Sequence, residues 1–199
     1  MSDQDTSFAR LVSLACHDLR TPLATVMGFA KTMVRMEGVE EKLARYLGMI
    51  DAAGGQLAEL LEELALVARI EGGRWEPVVG EVDSLELARA AVGPLGDAVE
   101  VTGNGERLAV PRDETSRAIE ALTRCALRHG GLQHVDLRVD GAAIAIAPVT
   151  PKTAAICLGR DLRDFPAAVA VRVVTALGGA TRERDGTLVV ELPRASPAG

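Results

Sequence analysis

The sequence predicts an α+β fold in two parts, an N-terminal antiparallel helical hairpin followed by an α/β sandwich. Up to Ile70, apolar residues recur at steps of three and four, which is the period of one helix face. From Val78 onward the pattern changes to short alternating segments separated by turns that contain glycine. Hydrophobic residues make up 48% of the 199 residues and aromatic residues only 3%, so both cores must be built mainly from aliphatic side chains.

The first predicted helix begins near Thr6 or Ser7, either of which is a suitable N-cap, and runs to about Glu37. Gly38 breaks it. Its apolar positions form one stripe at helical spacing: Phe8, Leu11, Val12, Ala15, Leu19, Pro22, Leu23, Val26, Ala30 and Met33.

A second helix is predicted from about Glu40 to Ile70, with a weak point at Gly54 and Gly55. Its apolar positions have the same spacing: Leu43, Leu47, Ile50, Ala53, Leu57, Leu60, Leu61, Leu64 and Val67. A single helical hairpin leaves much of this apolar surface in water, whereas two copies close a four-helix bundle. The sequence therefore predicts a homodimer.

The most informative motif is the run His-Asp-Leu-Arg-Thr-Pro-Leu at residues 17–23 of the first helix. At about 100° per residue, His17 falls nearly opposite the apolar stripe and is expected in solvent. A solvated imidazole titrates near neutral pH and is a competent nucleophile. Thr21 follows one turn later on the same face, and Asp18 is adjacent. Pro22 has no N–H group, so we expect a bend beside the histidine.

This run resembles the phosphoacceptor motif of two-component histidine kinases at every position. The resemblance implies that His17 accepts a phosphoryl group and passes it to an aspartate of a response-regulator receiver domain. It implies that Asp18 is the acid/base partner, and that Asp18 and Thr21 orient water when the regulator is dephosphorylated. Arg20 and Pro22 match the basic and proline positions of the family motif and support the site.

Four regions follow from the changes in pattern. Residues 1–71 form the phosphoacceptor hairpin, and residues 72–77 form a linker in which Gly72 ends the helix and Pro77 prevents its continuation. Residues 78–193 form the α/β domain, and residues 194–199 form a tail that we expect to be frayed.

In the α/β domain, a mixed sheet with helices on one face is predicted. Dipeptides at 104–105, 140–141 and 185–186 (Asn-Gly, Asp-Gly and Asp-Gly) predict hairpin turns between neighbouring strands. Ser84 is expected to cap the first helix of the domain. The predicted strands are Val78–Val82, Ala98–Val101, Arg107–Val110, Val135–Val139, Ala143–Ala147, Ala180–Arg184 and Thr187–Leu192, and the predicted helices are Ser84–Val92, Asp113–Arg128 and Pro166–Leu177.

This order of elements resembles the ATP-binding domain of the same kinases, but the nucleotide positions depart from the family pattern. The family's magnesium-holding asparagine aligns with Cys125, and a thiol cannot replace a hard oxygen ligand. Where the family has Asp-x-Gly-x-Gly, residues 147–151 contain Pro148 and Thr150 but neither an acid nor a glycine. Only residues 152–163 remain of the lid, and Asp164 and Pro166 lie in place of the second glycine-rich run.

The remaining residues exclude several other classes of protein. The net charge of −6 argues against a nucleic-acid partner. Three well-separated cysteines indicate buried reduced thiols, and Cys16 is expected to pack. We expect no metal ligands, since neither His129 nor His134 has a recognised ligand spacing from a cysteine, and both are interpreted as structural or surface residues. Neither a signal peptide nor a membrane-spanning segment is visible, which predicts a cytoplasmic protein.

Three functions follow as hypotheses. The first is a histidine phosphotransferase that exchanges a phosphoryl group with a receiver domain without ATP bound, the receiver providing Mg²⁺ and an upstream kinase being a further partner. The second is an active sensor histidine kinase with a divergent nucleotide pocket. The third is a dimeric adaptor that docks a response regulator without chemistry. The first accounts best for a complete acceptor motif next to a degenerate nucleotide site.

Overall fold

Two long helices form the first of the two units into which the chain divides, Met1–Trp75 and Glu76–Gly199. The computed structural model describes the backbone of residues 3–35 and 41–195. Helix α1 spans Asp3–Val34 and helix α2 spans Glu41–Glu71. Helix α1 thus begins before the predicted N-cap at Thr6 or Ser7. The predicted end at Glu37 and break at Gly38 lie outside the described residues.

The two helices are antiparallel. Gly54 of α2 faces Met27 and Leu23 of α1. Lys31 Nζ, one turn further along α1, lies 3.6 Å from Asp51 Oδ1, which is nearly one turn earlier in α2. Because contact positions rise in one helix as they fall in the other, the hairpin predicted from the apolar spacing is confirmed.

The second unit contains seven strands and four α-helices among the described residues. A five-stranded mixed sheet has the order β2-β4-β5-β7-β6, and β1 pairs with β3 in a separate two-stranded sheet. A short 3₁₀ helix at Gly93–Ala98 was not predicted. The elements are β1 Gly80–Asp83, α3 Ser84–Val92, β2 Val99–Gly105, β3 Arg107–Val110, α4 Arg112–Gly130, β4 Val135–Gly141, β5 Ala143–Ala147, α5 Pro151–Cys157, α6 Phe165–Ala176, β6 Ala180–Arg184 and β7 Thr187–Glu191.

The core of this unit lies between one face of the sheet and the helices. In β4, Val135, Leu137 and Val139 are buried while the residues between them are exposed, as expected for a strand with one face covered by helices. The buried face meets α3 and α4. The predicted hairpins β4–β5 and β6–β7 are confirmed, and in the second turn Asp185 and Gly186 both have positive φ.

The predicted hairpin at Asn104-Gly105 is wrong. Strand β2 pairs in parallel with β4, and β3 pairs with β1 instead. The backbone of Glu106 is bound by Ser84: the Ser84 N–H donates to the Glu106 carbonyl (3.0 Å), and the Glu106 N–H donates to Ser84 Oγ (2.9 Å). These bonds direct the chain away from β2, and the apolar side chains Leu108 and Val110 become fully buried.

Three further local predictions are corrected by polar contacts. Asp83, not Ser84, caps α3, because its carboxylate accepts from the N–H groups of Leu85 and Glu86, while the Ser84 hydroxyl donates to the Gly141 carbonyl at 2.6 Å. Residues 152–163, expected to be a remnant of a lid, begin inside helix α5, which spans Pro151–Cys157 and is capped by Thr150. Arg194 is not frayed: it bridges to Leu108, and its Nε donates to Glu106 Oε2 at 3.1 Å.

Candidate functional site

The acceptor motif lies in the first half of α1. The residue before it, Cys16, is buried, and its first residue, His17, is exposed. Cys16 is 1% exposed, as its predicted packing role requires, and His17 is exposed. Arg20, Thr21 and Pro22 are exposed as well. The predicted solvent exposure of the His17 ring is therefore confirmed, and Thr21 follows one turn later along the same face.

Two other motif features stand differently. Asp18 lies in α1, but its side chain is outside the described part of the structure. Pro22 lies inside the helix, and the Thr25 hydroxyl donates to the carbonyl of Thr21 at 3.1 Å. The bend beside the histidine stays a prediction, as does the acid/base role of Asp18.

Each helix of the hairpin carries two apolar seams rather than the single stripe predicted. The inner seam lies between the two helices and contains buried or half-buried residues: Val12, Cys16, Leu23, Met27 and Ala30 in α1, and Leu47, Gly54, Leu61 and Ala68 in α2. The outer seam is exposed and follows a heptad spacing of alternating threes and fours: Leu19, Pro22, Val26, Phe29 and Met33 in α1, and Leu43, Tyr46, Ile50, Leu57 and Leu60 in α2.

In the α/β unit, the segments that the sequence predicts to align with the family's nucleotide site pack on each other. Cys125 in α4 is fully buried, and its Sγ lies 3.3 Å from Sγ of Cys157 at the end of α5. Helix α5 contacts both α4 and α6. Its residues Thr153, Ala154 and Ile156 are buried too, so an apolar helix fills the space beside Cys125.

The positions that replace the glycine-rich runs cap helices. The Thr150 hydroxyl accepts from the Thr153 N–H at the start of α5, and Pro148 precedes it through a cis peptide bond with Ala147. Pro166 occupies the first turn of α6, where a missing N–H costs nothing. Thr150 and Pro166 therefore have structural roles at the starts of α5 and α6.

Asp164 is the most deeply buried carboxylate of this region, with a side chain that is 3% exposed. Its Oδ1 accepts from the Ala167 N–H at 3.1 Å and so caps α6. Its Oδ2 lies 3.3 Å from Arg128 Nη1 and 3.1 Å from His129 Nε2. Two nitrogen side chains from α4 thus compensate the burial of the carboxylate.

The statement that His129 has no ligand spacing from a cysteine is wrong. Cys125 and His129 are four residues apart, which places them on one face of α4. Cys125 Sγ, a ring nitrogen of His129 and a carboxylate oxygen of Asp164 all lie within 4.8 Å of one another. Sequence reasoning missed the cluster because Asp164 comes from another element, although the i, i+4 pair itself was visible.

Two cysteines have raised pKa values, and His134 lies at the surface. The hydrogen bond with Cys157, together with burial, raises the pKa of the Cys125 thiol above its usual range, and burial raises the pKa of Cys16. His134 is exposed and lies between the Asp97 carbonyl (3.2 Å) and Asp136 Oδ1 (3.1 Å), as expected for a surface residue.

Comparison with known proteins identifies a family model for part of the first unit and relatives of about half of the chain. Residues 9–73 match the family model described as His Kinase A (phospho-acceptor) domain. Histidine protein kinase DivJ of Caulobacter vibrioides is 33% identical over 108 residues, covering 53% of this chain and 18% of DivJ. Probable sensor histidine kinase TcrY of Mycobacterium tuberculosis is 31% identical over 94 residues, covering 47% of this chain and 19% of TcrY. The chain therefore spans less than a fifth of the length of each of these relatives.

Solved structures resemble both units. ShkA, solved at full length in complex with AMPPNP, has a TM-score of 0.71 at 19% identity, covering 96% of this chain and 47% of ShkA. Histidine kinase AdeS of Acinetobacter baumannii has a TM-score of 0.58 at 14% identity, covering 90% of this chain and 98% of AdeS. These likenesses confirm the predicted fold, a helical hairpin followed by a kinase-like α/β domain. Within residues 3–35 and 41–195, none of the helices has the length and apolar character needed to span a bilayer.

Proposed function

Because this chain belongs to the histidine kinase family, with a His Kinase A domain at residues 9–73 and an ATP-binding-like domain after it, we propose that it is a histidine phosphotransferase. His17 carries a phosphoryl group to or from an aspartate of a receiver domain, and ATP does not bind in the ordinary way. The observation that carries this proposal is an exposed His17 within a complete acceptor motif, in a chain whose Cys125, predicted to align with the family's magnesium ligand, is buried against Cys157 of α5.

The exposed face of α1 suits transfer between proteins. A ring nitrogen of His17 attacks the phosphorus of an aspartyl phosphate, forming an N–P bond as the P–O bond to the aspartate breaks and its carboxylate leaves. The return reaction reverses these bonds. Thr21 is exposed one turn away, within reach of the same docked surface. Asp18 acts as the acid/base partner that takes up or returns the proton of the His17 ring. The Mg²⁺ of the receiver domain stabilises the charge on the transferring phosphoryl group.

The outer seam supports the proposed homodimer. In α1, Leu19 is 53% exposed and Phe29 is 65% exposed, and in α2, Leu57 is 53% exposed. Each belongs to the outer seam of its own helix, which has the heptad spacing of a coiled-coil interface. Large apolar patches of this kind on a helical hairpin mark an interaction surface. Pairing two outer seams closes a four-helix bundle, and it leaves His17 on the outside because its ring points away from both seams.

The chemistry of the degenerate positions does not fit ATP with Mg²⁺. Magnesium requires oxygen ligands, and the aligned residue Cys125 offers a buried thiol paired with Cys157. Phosphates require close backbone approach at free N–H groups, whereas Asp164 and Thr150 already occupy the first N–H groups of α6 and α5. The proposed phosphoryl transfer therefore involves no nucleotide bound to this chain.

The experiment uses two phosphoryl donors on the full chain. We expect a label that is stable in base and labile in acid after incubation with a phosphorylated receiver domain, and none after incubation with labelled ATP and Mg²⁺. His17→Ala abolishes the label, whereas His134→Ala, an exposed histidine of the other unit, retains it.

Two results would contradict the proposal in different ways. A label on His17 from ATP would identify an active kinase with a divergent nucleotide pocket. The intact acceptor motif is compatible with that function too. Absence of label from both donors, with the receiver still bound in a pull-down, identifies an adaptor. Retention of label in His17→Ala would remove the acceptor assignment itself.

A further inference from the structure

The cluster around Cys125 contains the ligand set of a borderline-soft metal ion. We propose that Cys125, His129 and Asp164, with Cys157 as the fourth ligand, form a zinc site in the α/β unit. The inference is independent of phosphotransfer by His17, because it concerns the other unit and other residues. It assigns to the degenerate nucleotide positions a structural metal in place of a nucleotide.

Three of the four proposed ligand atoms lie at separations that a tetrahedral site can accept, and the fourth is in contact with one of them. Zinc–sulfur bonds of about 2.3 Å at a tetrahedral angle separate two sulfurs by about 3.8 Å. The sulfurs of Cys125 and Cys157 are 3.3 Å apart, and His129 Nε2 is 3.1 Å from Asp164 Oδ2. One atom from each of Cys125, His129 and Asp164 lies within 4.8 Å of the others. Cys157 Sγ does not belong to this group of three, so binding requires it to move toward the metal while it separates from Cys125 Sγ by about half an ångström.

The supporting contacts orient the ligands as outer-shell partners do in zinc sites. Asp164 Oδ1 is fixed by the Ala167 N–H, which leaves Oδ2 directed at His129. Both cysteines are fully buried, and the Asp164 side chain is nearly so, whereas the His129 side chain is 23% exposed and provides the route of entry. A structural zinc site is closed in this way.

The charges balance when the two thiols release their protons to solvent. Zinc brings two positive charges, the two thiolates cancel them, and the Asp164 carboxylate adds one negative charge. Arg128 Nη1 lies 3.3 Å from Asp164 Oδ2 and neutralises the remainder. Without a metal, the same residues hold one buried carboxylate between two nitrogen groups, and the two buried thiols contact each other and the Leu122 carbonyl.

A second group of three potential ligands provides an internal control. Glu100, His134 and Asp136 also lie within 4.8 Å of one another, but all three are exposed. An exposed group without a cysteine lacks the soft ligands and the closed surroundings of a zinc site. We expect any affinity at this surface group to be weak and free of sulfur ligands.

The test uses the full chain, reduced and freed of metal with a chelator, with Zn²⁺ and Co²⁺ as probes. We expect zinc to bind in an equimolar amount and Co²⁺ to give tetrahedral d–d bands with thiolate-to-cobalt charge-transfer absorption. Cys157→Ser should lower that charge-transfer intensity to about half, because one of two thiolates remains. His129→Gln and Asp164→Asn should each weaken zinc binding by about 100-fold or more. Loss of an outer-shell partner alone costs up to about 100-fold, and loss of a direct ligand should cost at least as much.

The control variant combines His134→Gln with Asp136→Asn and should retain both the zinc affinity and the cobalt spectrum. Circular dichroism of each metal-free variant separates loss of a ligand from loss of the fold. A cobalt spectrum without thiolate absorption, or an affinity that falls in the control variant and not in His129→Gln, would overturn the site. So would a reduced protein that binds no zinc and forms a Cys125–Cys157 disulfide in air.

Discussion

Close packing of the two hairpin helices depends on a glycine that faces a methionine. A Cβ atom at Gly54 would lie 2.5 Å from Met27 Cγ, 3.2 Å from Met27 Sδ and 3.8 Å from Leu23 Cδ1. The first of these distances is shorter than any non-bonded carbon–carbon contact. Because Cγ is only one bond beyond Cβ, it cannot move aside as the flexible end of the side chain could. Gly54→Ala therefore forces Met27 into another rotamer or separates the helices.

The adjacent residue supplies the matched control. A Cβ atom at Gly55 would have nothing within 4 Å, so Gly55→Ala should stabilise α2 by about 1 kcal/mol through helix propensity alone. Gly54→Ala gains the same increment but incurs an overpacking cost of about 1–3 kcal/mol. We expect the two variants to differ in free energy of unfolding by about 1–3 kcal/mol, with Gly54→Ala the less stable.

Urea unfolding of the full chain, followed by far-ultraviolet circular dichroism at one fixed protein concentration, measures this difference. A double-mutant cycle with Met27→Ala should show a coupling of about 0.5–3 kcal/mol, because the shortened side chain removes the clash. Equal stability of Gly54→Ala and Gly55→Ala, or strict additivity in the cycle, would refute the packing argument.

Two further predictions concern the same unit. Phe29→Glu should convert the proposed dimer into a monomer in light scattering, because it places a charge in the outer seam. Val78→Glu, at an 89% exposed site of the other unit, should leave the oligomeric state unchanged. A persistent dimer in Phe29→Glu would exclude this seam as the interface. Because burial raises the pKa of Cys16 in the folded state, its contribution to stability is intact below about pH 8.5 and declines above it by up to about 1.4 kcal/mol per pH unit. Urea unfolding across this pH range should give a shallower decline for Cys16→Ala, and equal slopes would contradict the argument.

Local pattern was sufficient for the parts of the molecule in which each residue depends on near neighbours. Helical spacing predicted α1 and α2 and the outward direction of His17, since a helix face is fixed by residues three and four apart. Turn residues predicted the β4–β5 and β6–β7 hairpins for the same reason. The acceptor motif, which is continuous in sequence, pointed to the family before any fold was known.

Tertiary structure decided everything that depends on which distant segment covers an apolar or polar group. The sequence showed that β2 and β3 were strands, but the bonds between Ser84 and Glu106 determined that they separate into different sheets. Spacing showed one apolar stripe on α1, and only packing against α2 divided it into an inner and an outer seam. Cys125 and Asp164 became neighbours through the packing of α4 against α6, because periodicity specifies the face of an element and not the element that meets it.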